Sequence, residues 1–183
     1  MPDSGPMSRS RLAEADAFAD APIHPLIAIK LWENPCWFSF RINYLSLRFN
    51  GPVYGRIAER HGLSRPEYLV LYSLHLSDGI AAMDVCATAG FPKNTISRAI
   101  HNLVRRKLIR RSVDPNDRRS FFLHLMVEGR RVLDESILPM VAHERRMLSG
   151  LTKGEQETLS KLLAKIVVDS PNWPIEENRE SSK

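Results

Sequence analysis

The residues best suited to chemistry lie on one face of a predicted helix over residues 93–107. At 100° per residue its apolar positions gather on one side, which must face a core: Ile96, Ala99, Ile100, Leu103 and Val104. The opposite side and its flanks carry donors and acceptors that suit base edges and phosphates: Lys93, Asn94, Thr95, Ser97, Arg98, His101 and Arg105. The alternative is an ordinary solvated face on a surface helix.

Within this face, position along the helix separates two expected roles. The first turns of a groove-binding helix point at the bases, so Asn94, Thr95 and Arg98 are the expected base contacts. Arg105 and Arg106 come later and are expected to meet phosphate.

A predicted β-hairpin follows, with strands over 109–113 and 121–125 and a charged turn over 114–119,. The turn contains Asp117, Arg118 and Arg119. An arginine at such a tip suits a narrow A·T-rich minor groove, where negative potential is concentrated. Asp117 can hold Arg119 extended through a charge-assisted pair. Taken alone, the segment is equally readable as a charged hairpin turn.

Positive charge is concentrated in this region. Residues 93–119 contain nine Lys or Arg and two Asp, a net +7, whereas the whole chain of 183 residues carries +5. All other residues together are therefore mildly acidic. Focused positive charge is the expected electrostatic footprint for duplex DNA.

The elements that position this face read as a helix-turn-helix. Ser64 and Glu67 have capping-box spacing, with Pro66 in the first turn of the helix they open,. A short helix over 81–88 is joined to the polar helix by Ala89-Gly90-Phe91-Pro92,. A longer helical pattern precedes them over 37–61, in which the pair Gly51-Pro52 suggests a kink or break,.

Residues 63–129 resemble the MarR (multiple antibiotic resistance regulator) family of winged-helix repressors. The resemblance is carried by Leu-Ser-Arg-Pro-Glu-Tyr at 63–68, Thr-Ile-Ser-Arg at 95–98 with Leu103, Leu108-Ile109, and Asp-Pro-Asn-Asp-Arg-Arg at 114–119. It implies a homodimer on double-stranded DNA with inverted half-sites. It also implies that Arg119 enters the minor groove, oriented by Asp117. Two departures are Lys107, where glycine commonly stands, and Met126, where a threonine usually caps the next helix.

The predicted fold is mainly α with a small β-wing, a winged helix-turn-helix with N- and C-terminal dimerisation helices. We predict an N-terminal arm over 1–36, dimerisation helices over 37–63 and 127–170, the DNA-binding lobe over 64–126 and a disordered tail over 171–183. Apolar stripes in the outer helices exceed what one small domain hides easily, which favours a two-fold dimer. A larger monomeric core is the alternative.

The family resemblance also implies a small aromatic or phenolic acid as effector. The candidate ligand-binding residues are His24 and Arg41 as anion partners, with Tyr44, Tyr68 and Tyr72 among the walls. The alternative is that these aromatic side chains belong to the core and that Arg41 is solvated. Some relatives sense peroxide through a cysteine, and Cys36 lies near that position, although Arg65 stands where a partner tyrosine would be.

The sequence gives no support to an enzyme or a membrane protein. The six histidines share no metal-ligand spacing, and phosphate-binding and nucleophile motifs are missing,. The two cysteines lack C-x-x-C spacing, and neither a signal peptide nor a run of 18 apolar residues is present,. We therefore expect a cytoplasmic regulator without catalytic residues, cofactor or metal. The remaining alternatives are a winged helix used only for protein interaction and one that binds DNA without sequence specificity.

Overall fold

The computed structural model describes residues 23–114 and 120–173 as a mainly helical chain with one small antiparallel sheet. Its elements in chain order are α1 Pro25–Trp32, α2 Trp37–His61, α3 Arg65–Leu76, β1 Ile80–Ala81, α4 Ala82–Thr88, α5 Lys93–Arg105, β2 Ile109–Val113, β3 Phe121–Leu125, α6 Val127–Met147, α7 Lys153–Asp169 and a 3-10 turn Ser170–Asn172. The chain forms two compact units, one up to Met140 and one from Val141. The predicted fold class is confirmed.

Local signals explain where the helices around the lobe begin and end. The capping box at the start of α3 is present, and the Ser64 N–H donates to the Glu67 carboxylate at 2.7 Å. α2 ends at Gly62, whose φ of 60° is left-handed, a conformation glycine adopts without strain,. The predicted stop and start signals at 62–67 are therefore confirmed.

The break suggested by the pair Gly51-Pro52 does not occur, because α2 runs continuously through both residues.

The sheet has the strand order β1-β3-β2. Strands β2 and β3 form the predicted hairpin, with Ile109 opposite Leu125 and Val113 opposite Phe121. The two-residue strand β1 pairs Ile80 with Leu123. Sequence patterning missed β1, because two residues are too few to show alternation.

The core of the first unit is built from buried apolar side chains of helices α2 to α6 and strands β2 and β3. Leu71 of α3, Val85 of α4, Leu123 of β3 and Leu133 of α6 are all 0% exposed. The core also takes Val53 and Ile57 of α2, each about one-twentieth exposed. This core fixes the side of α5 that turns inward and therefore the side that stays exposed.

The second unit is shorter. α7 begins with its own capping box, in which the Thr152 N–H donates to the Glu155 carboxylate at 2.7 Å. The Gln156 side chain donates to the Leu148 and Leu151 carbonyls. None of the seventeen residues of α7, all of them described, is buried, although the helix carries an apolar stripe.

Two predicted irregular segments contain structure. Helix α1 lies within the predicted arm, starting at Pro25 with the His24 side chain as its N-cap. The 3-10 turn Ser170–Asn172 overlaps the first two residues of the predicted tail, which begins at residue 171. The Trp173 indole N–H donates to Asp169 just after it. Residues 1–22 and 174–183, the remainder of both predicted segments, lie outside the described residues.

Candidate nucleic-acid interface

Helix α5 has one buried face and one exposed polar face. Ile96 and Leu103 are 0% exposed, and Ala99 and Ile100 are buried beside them. On the other side Thr95 is half-buried, and the remaining predicted contact residues of the helix are exposed: Lys93, Asn94, Ser97, Arg98, His101 and Arg105. The structure thus brings the helical part of the predicted site together on one continuous surface.

The hairpin after α5 has the predicted pairing up to its tip. The Asp114 N–H donates to the Ser120 carbonyl at 3.1 Å, and the Arg111 guanidinium lies 5.7 Å from the Phe121 ring centroid. Arg110 and Arg111 of β2 are both exposed and add positive charge to the hairpin. The predicted wing contacts Asp117, Arg118 and Arg119 fall in 115–119, outside the described residues.

Asp78, in the turn before β1, binds the root of the hairpin, the end at which β2 begins and β3 ends. Its carboxylate accepts the Leu125 N–H at 2.6 Å and lies 3.4 Å from His124 Nδ1. The other ring nitrogen of His124 is 2.8 Å from the Ser112 hydroxyl of β2. Partial burial opposes ionisation of Asp78, but the Leu125 N–H and the neighbouring His124 outweigh it, and the pKa of the carboxyl lies below its usual value,. Nothing in the local pattern of the sequence marks this contact across 46 residues.

The C-terminal end of α5 turns sharply into β2. The Leu108 N–H donates to the Leu103 carbonyl and the Lys107 N–H to the Val104 carbonyl, both at 3.0 Å. These bonds form a Schellman motif, with Lys107 in the left-handed region at φ 57°,. The helix therefore ends at Arg105, two residues earlier than predicted.

Arg106, expected to meet phosphate, is engaged elsewhere in the structure. Its Nη1 donates to the Gly62 carbonyl at 2.8 Å and its Nη2 to the His61 carbonyl at 2.7 Å. Arg105 donates to Asn102 of its own helix at 3.3 Å and stays exposed. The sequence offers no signal that separates these adjacent arginines.

The predicted ligand-binding residues lie in several different environments. The Arg41 guanidinium lies 5.4 Å from the Trp32 ring centroid and 4.9 Å from that of Trp37, and it donates to the Leu31 carbonyl at 2.9 Å. It therefore fastens α1 to α2. His24 accepts the Leu26 N–H as the cap of α1.

The predicted tyrosine walls differ from one another in exposure. Tyr68 is 1% exposed, and its hydroxyl accepts from Ser136 at 3.0 Å. Burial raises the pKa of Tyr68, opposed by that hydrogen bond. Tyr72 is half-buried and stacks on Tyr68 at 6.3 Å, whereas Tyr44 contacts Phe40 and Arg48.

The two cysteines differ in environment. Cys36 is exposed just before α2, and Cys86 packs against the core. Arg65 lies over the rings of Tyr54 and Phe91, at 5.2 and 5.3 Å from their centroids.

The described ranges 23–114 and 120–173 bear on two further classes of site, metal centres and membrane-spanning helices. Within them no three His, Cys, Asp or Glu side chains gather as metal ligands would. Nor does any helix there have the length and apolar character needed to cross a membrane.

Comparison with known proteins places this architecture in a family. The sequence model described as the MarR family matches residues 61–120. The HTH-type transcriptional regulator YkoM of Bacillus subtilis is 30% identical over 116 residues, which cover 63% of this chain and 75% of YkoM. The regulator YwaE of the same organism is 26% identical over 110 residues, and the match spans 64% of its length.

Solved structures are similar to this chain in fold as well. A MarR-family regulator from Silicibacter pomeroyi superposes with a TM-score of 0.61 at 27% identity, over 79% of this chain and 94% of that one. PcaV of Streptomyces coelicolor shares the fold with a TM-score of 0.61 at 23% identity, over 76% of this chain and 96% of that one. The chain belongs to the MarR family and is a DNA-binding transcriptional regulator, not an enzyme.

Proposed function

We propose that the chain binds a specific operator by placing α5 in the major groove and the β2–β3 hairpin beside it. The exposed polar face of α5, opposite a face that is almost fully buried, carries this proposal. Asn94, Thr95 and Arg98 read base edges near the start of the helix. The residues Lys93, Ser97, His101 and Arg105 complete the contact surface of the helix.

In the wing, Arg119 enters the minor groove with Asp117 as its orienting partner, and Arg118 adds charge at the tip. This part of the proposal rests on the residue types and on the family pattern. One fold relative, MepR of S. aureus (TM-score 0.63, 22% identity), has been crystallised as a DNA complex.

The operator-binding form is a homodimer, which matches a DNA site with two inverted half-sites. Support comes from apolar side chains that the single chain leaves in water. Leu162, Val167 and Val168 of α7 are 53%, 68% and 78% exposed. Leu138 of α6 is 74% exposed, and Leu45 of α2 is half exposed. Exposed apolar side chains on each of these predicted dimerisation helices favour a second copy of the chain as their cover.

Binding blocks transcription, and a small acid releases the protein from DNA. PcaV, the fold relative named above, has been crystallised with its natural ligand. In this chain Tyr72 stacks on Tyr68, and of these two proposed ligand contacts Tyr72 is the more accessible to a ligand. His24, Arg41 and Tyr44 belong to the same proposal, although a ligand would have to draw Arg41 away from the tryptophans that it contacts.

A gel-shift titration tests the function most directly. The probe is the region upstream of the protein's own reading frame, challenged with an excess of unrelated duplex. Selective retention of the upstream probe supports operator recognition. If unrelated duplex displaces the probe as effectively as unlabelled upstream DNA does, binding is nonspecific. Adding benzoate, salicylate or protocatechuate to the retained complex then tests release by a small acid.

A further inference from the structure

The C-terminal end of α2 is a junction between three helices of the first unit. Arg106, directly after α5, donates to the carbonyls of His61 and Gly62. On another side, Arg60 Nη2 lies 3.1 Å from the Glu135 carboxylate of α6. Burial lowers the pKa of His61, opposed by Glu135, so Arg60 of α2 and Arg131 of α6 supply the positive charge facing Glu135 at neutral pH,. The end of α2 is thus tied to both the recognition helix and α6.

The Arg106 contact has the geometry of a clamp. The last carbonyls of a helix lack partners within the helix and carry the negative end of its dipole. A guanidinium is planar and always charged, and it satisfies two such carbonyls with two parallel charge-assisted bonds. The Arg106 bonds, at 2.8 and 2.7 Å, join residues 44 and 45 positions apart in the chain. The left-handed turn at Lys107 follows at once and fixes the direction in which the chain leaves the helix.

We propose that Arg106 is a positioning residue, which fixes the C-terminal end of α5 to the end of α2 and thereby sets the pose in which α5 meets DNA. This inference rests on the proposed placement of α5 in the major groove. It also gives Arg106 a role different from that of the adjacent Arg105, whose exposed guanidinium remains a phosphate contact. Movement of α2 would then be passed to the recognition helix through Arg106.

Arg106→Lys and Arg105→Lys form a matched pair of variants. Lysine keeps the charge of a phosphate contact, but one ammonium group does not reproduce the planar fork that reaches two carbonyls. We expect Arg106→Lys to weaken operator binding about five- to tenfold, and Arg105→Lys to bind almost as the parent does. Parental affinity in Arg106→Lys would overturn the proposal.

The salt dependence of binding gives a second test, because loss of a purely structural contact leaves this dependence unchanged. Each lost phosphate contact lowers the slope of log Kd against log salt by about one. We expect that drop for Arg105→Ala and an unchanged slope for Arg106→Ala, measured on operator and on random duplex. A slope lowered by about one in Arg106→Ala would make Arg106 a phosphate contact instead. Thermal melting establishes that each variant is folded at the assay temperature. If Arg106→Ala is not folded, the operator affinity of Arg106→Lys decides instead.

Hydrogen exchange tests the clamp without DNA. The Gly62 amide donates to the Ala58 carbonyl at 2.8 Å at the clamped end of α2. Loss of the clamp should speed exchange over 58–62 about tenfold in Arg106→Lys, with Arg105→Lys unchanged. Unchanged exchange in Arg106→Lys would show that no clamp exists. A parent protein without operator preference would refute the proposed function and leave this exchange result standing.

Discussion

At the scale of single residues, Lys107 occupies a backbone conformation that favours glycine. A left-handed residue with a Cβ is strained by roughly 1–2 kcal/mol, and glycine is not, although glycine loses more chain entropy on folding. We therefore expect Lys107→Gly to raise the free energy of unfolding by about 0.5–1 kcal/mol. Urea denaturation measures the change. Lys107→Ala is the control, because it removes the charge but keeps the strain, and it should not stabilise; a less stable glycine variant would contradict this explanation.

Arg98 tests base reading by α5. It is exposed in the first half of the helix, on the face opposite Ile96 and Leu103. Arg98→Ala should weaken operator binding by about 1–3 kcal/mol, the usual value of a good contact to a base. Fluorescence anisotropy with operator and with random duplex measures the difference. Equal losses on both DNAs would assign Arg98 to phosphate alone.

At the scale of elements, Gly129 controls how α6 packs beside the lobe. A Cβ built there would overlap the Leu108 carbonyl oxygen, a backbone atom that cannot rotate away. Gly129→Ala should therefore destabilise the protein by about 1–3 kcal/mol through overpacking. Gly154→Ala in α7 is the matched control, because nothing lies within 4 Å of its added Cβ,. If both variants melt as the parent does, the close approach at Gly129 has no energetic weight.

The root of the hairpin should weaken in acid. The folded-state pKa of Asp78 lies below its ordinary value of 3.8, so its contribution to stability is present above that pH and is lost as pH falls through the lower folded value,. Asp78→Asn removes the titrating charge. The stability difference between parent and variant, from urea unfolding, should shrink as pH falls below 3.8. A difference that does not change down to pH 2.5 would show that Asp78 acts only as a neutral acceptor.

Elements marked by local signals could be predicted from the sequence, and those that depend on distant partners could not. The capping box at Ser64 and Glu67, the stop at Gly62 and the inward face of α5 each follow from neighbouring residues. Strand β1 exists because Ile80 pairs with Leu123, a partner 43 positions away. The roles of Asp78 and Arg106 likewise depend on residues more than 40 positions distant. Periodicity and spacing carry no information about such contacts.

At the scale of the whole molecule, the concentrated positive charge and the exposed apolar stripe of α7 lie in different parts of the chain. The net +7 of residues 93–119 belongs to α5 and the hairpin. The most exposed apolar side chains of the second unit belong to α7. Because DNA attracts the first kind of surface and a second protein copy the second, the two binding activities need not compete for residues.

The homodimer is the prediction that belongs to the molecule as a whole. The single chain has a mass of 20.9 kDa, so sedimentation equilibrium at micromolar concentration should give about twice that value,. Replacing Leu162 and Val168 of α7 by glutamate places two charges where an apolar contact is expected, and it should shift the mass toward that of one chain. Met83→Glu in α4 is the control, because Met83 is 65% exposed but belongs to the DNA-binding lobe.

Since paired half-sites require two lobes held together, the monomeric variant should also lose most of its operator affinity and keep its weak binding to random duplex. A parent protein that sediments as one chain would rule out the dimer, and with it the expectation of inverted half-sites.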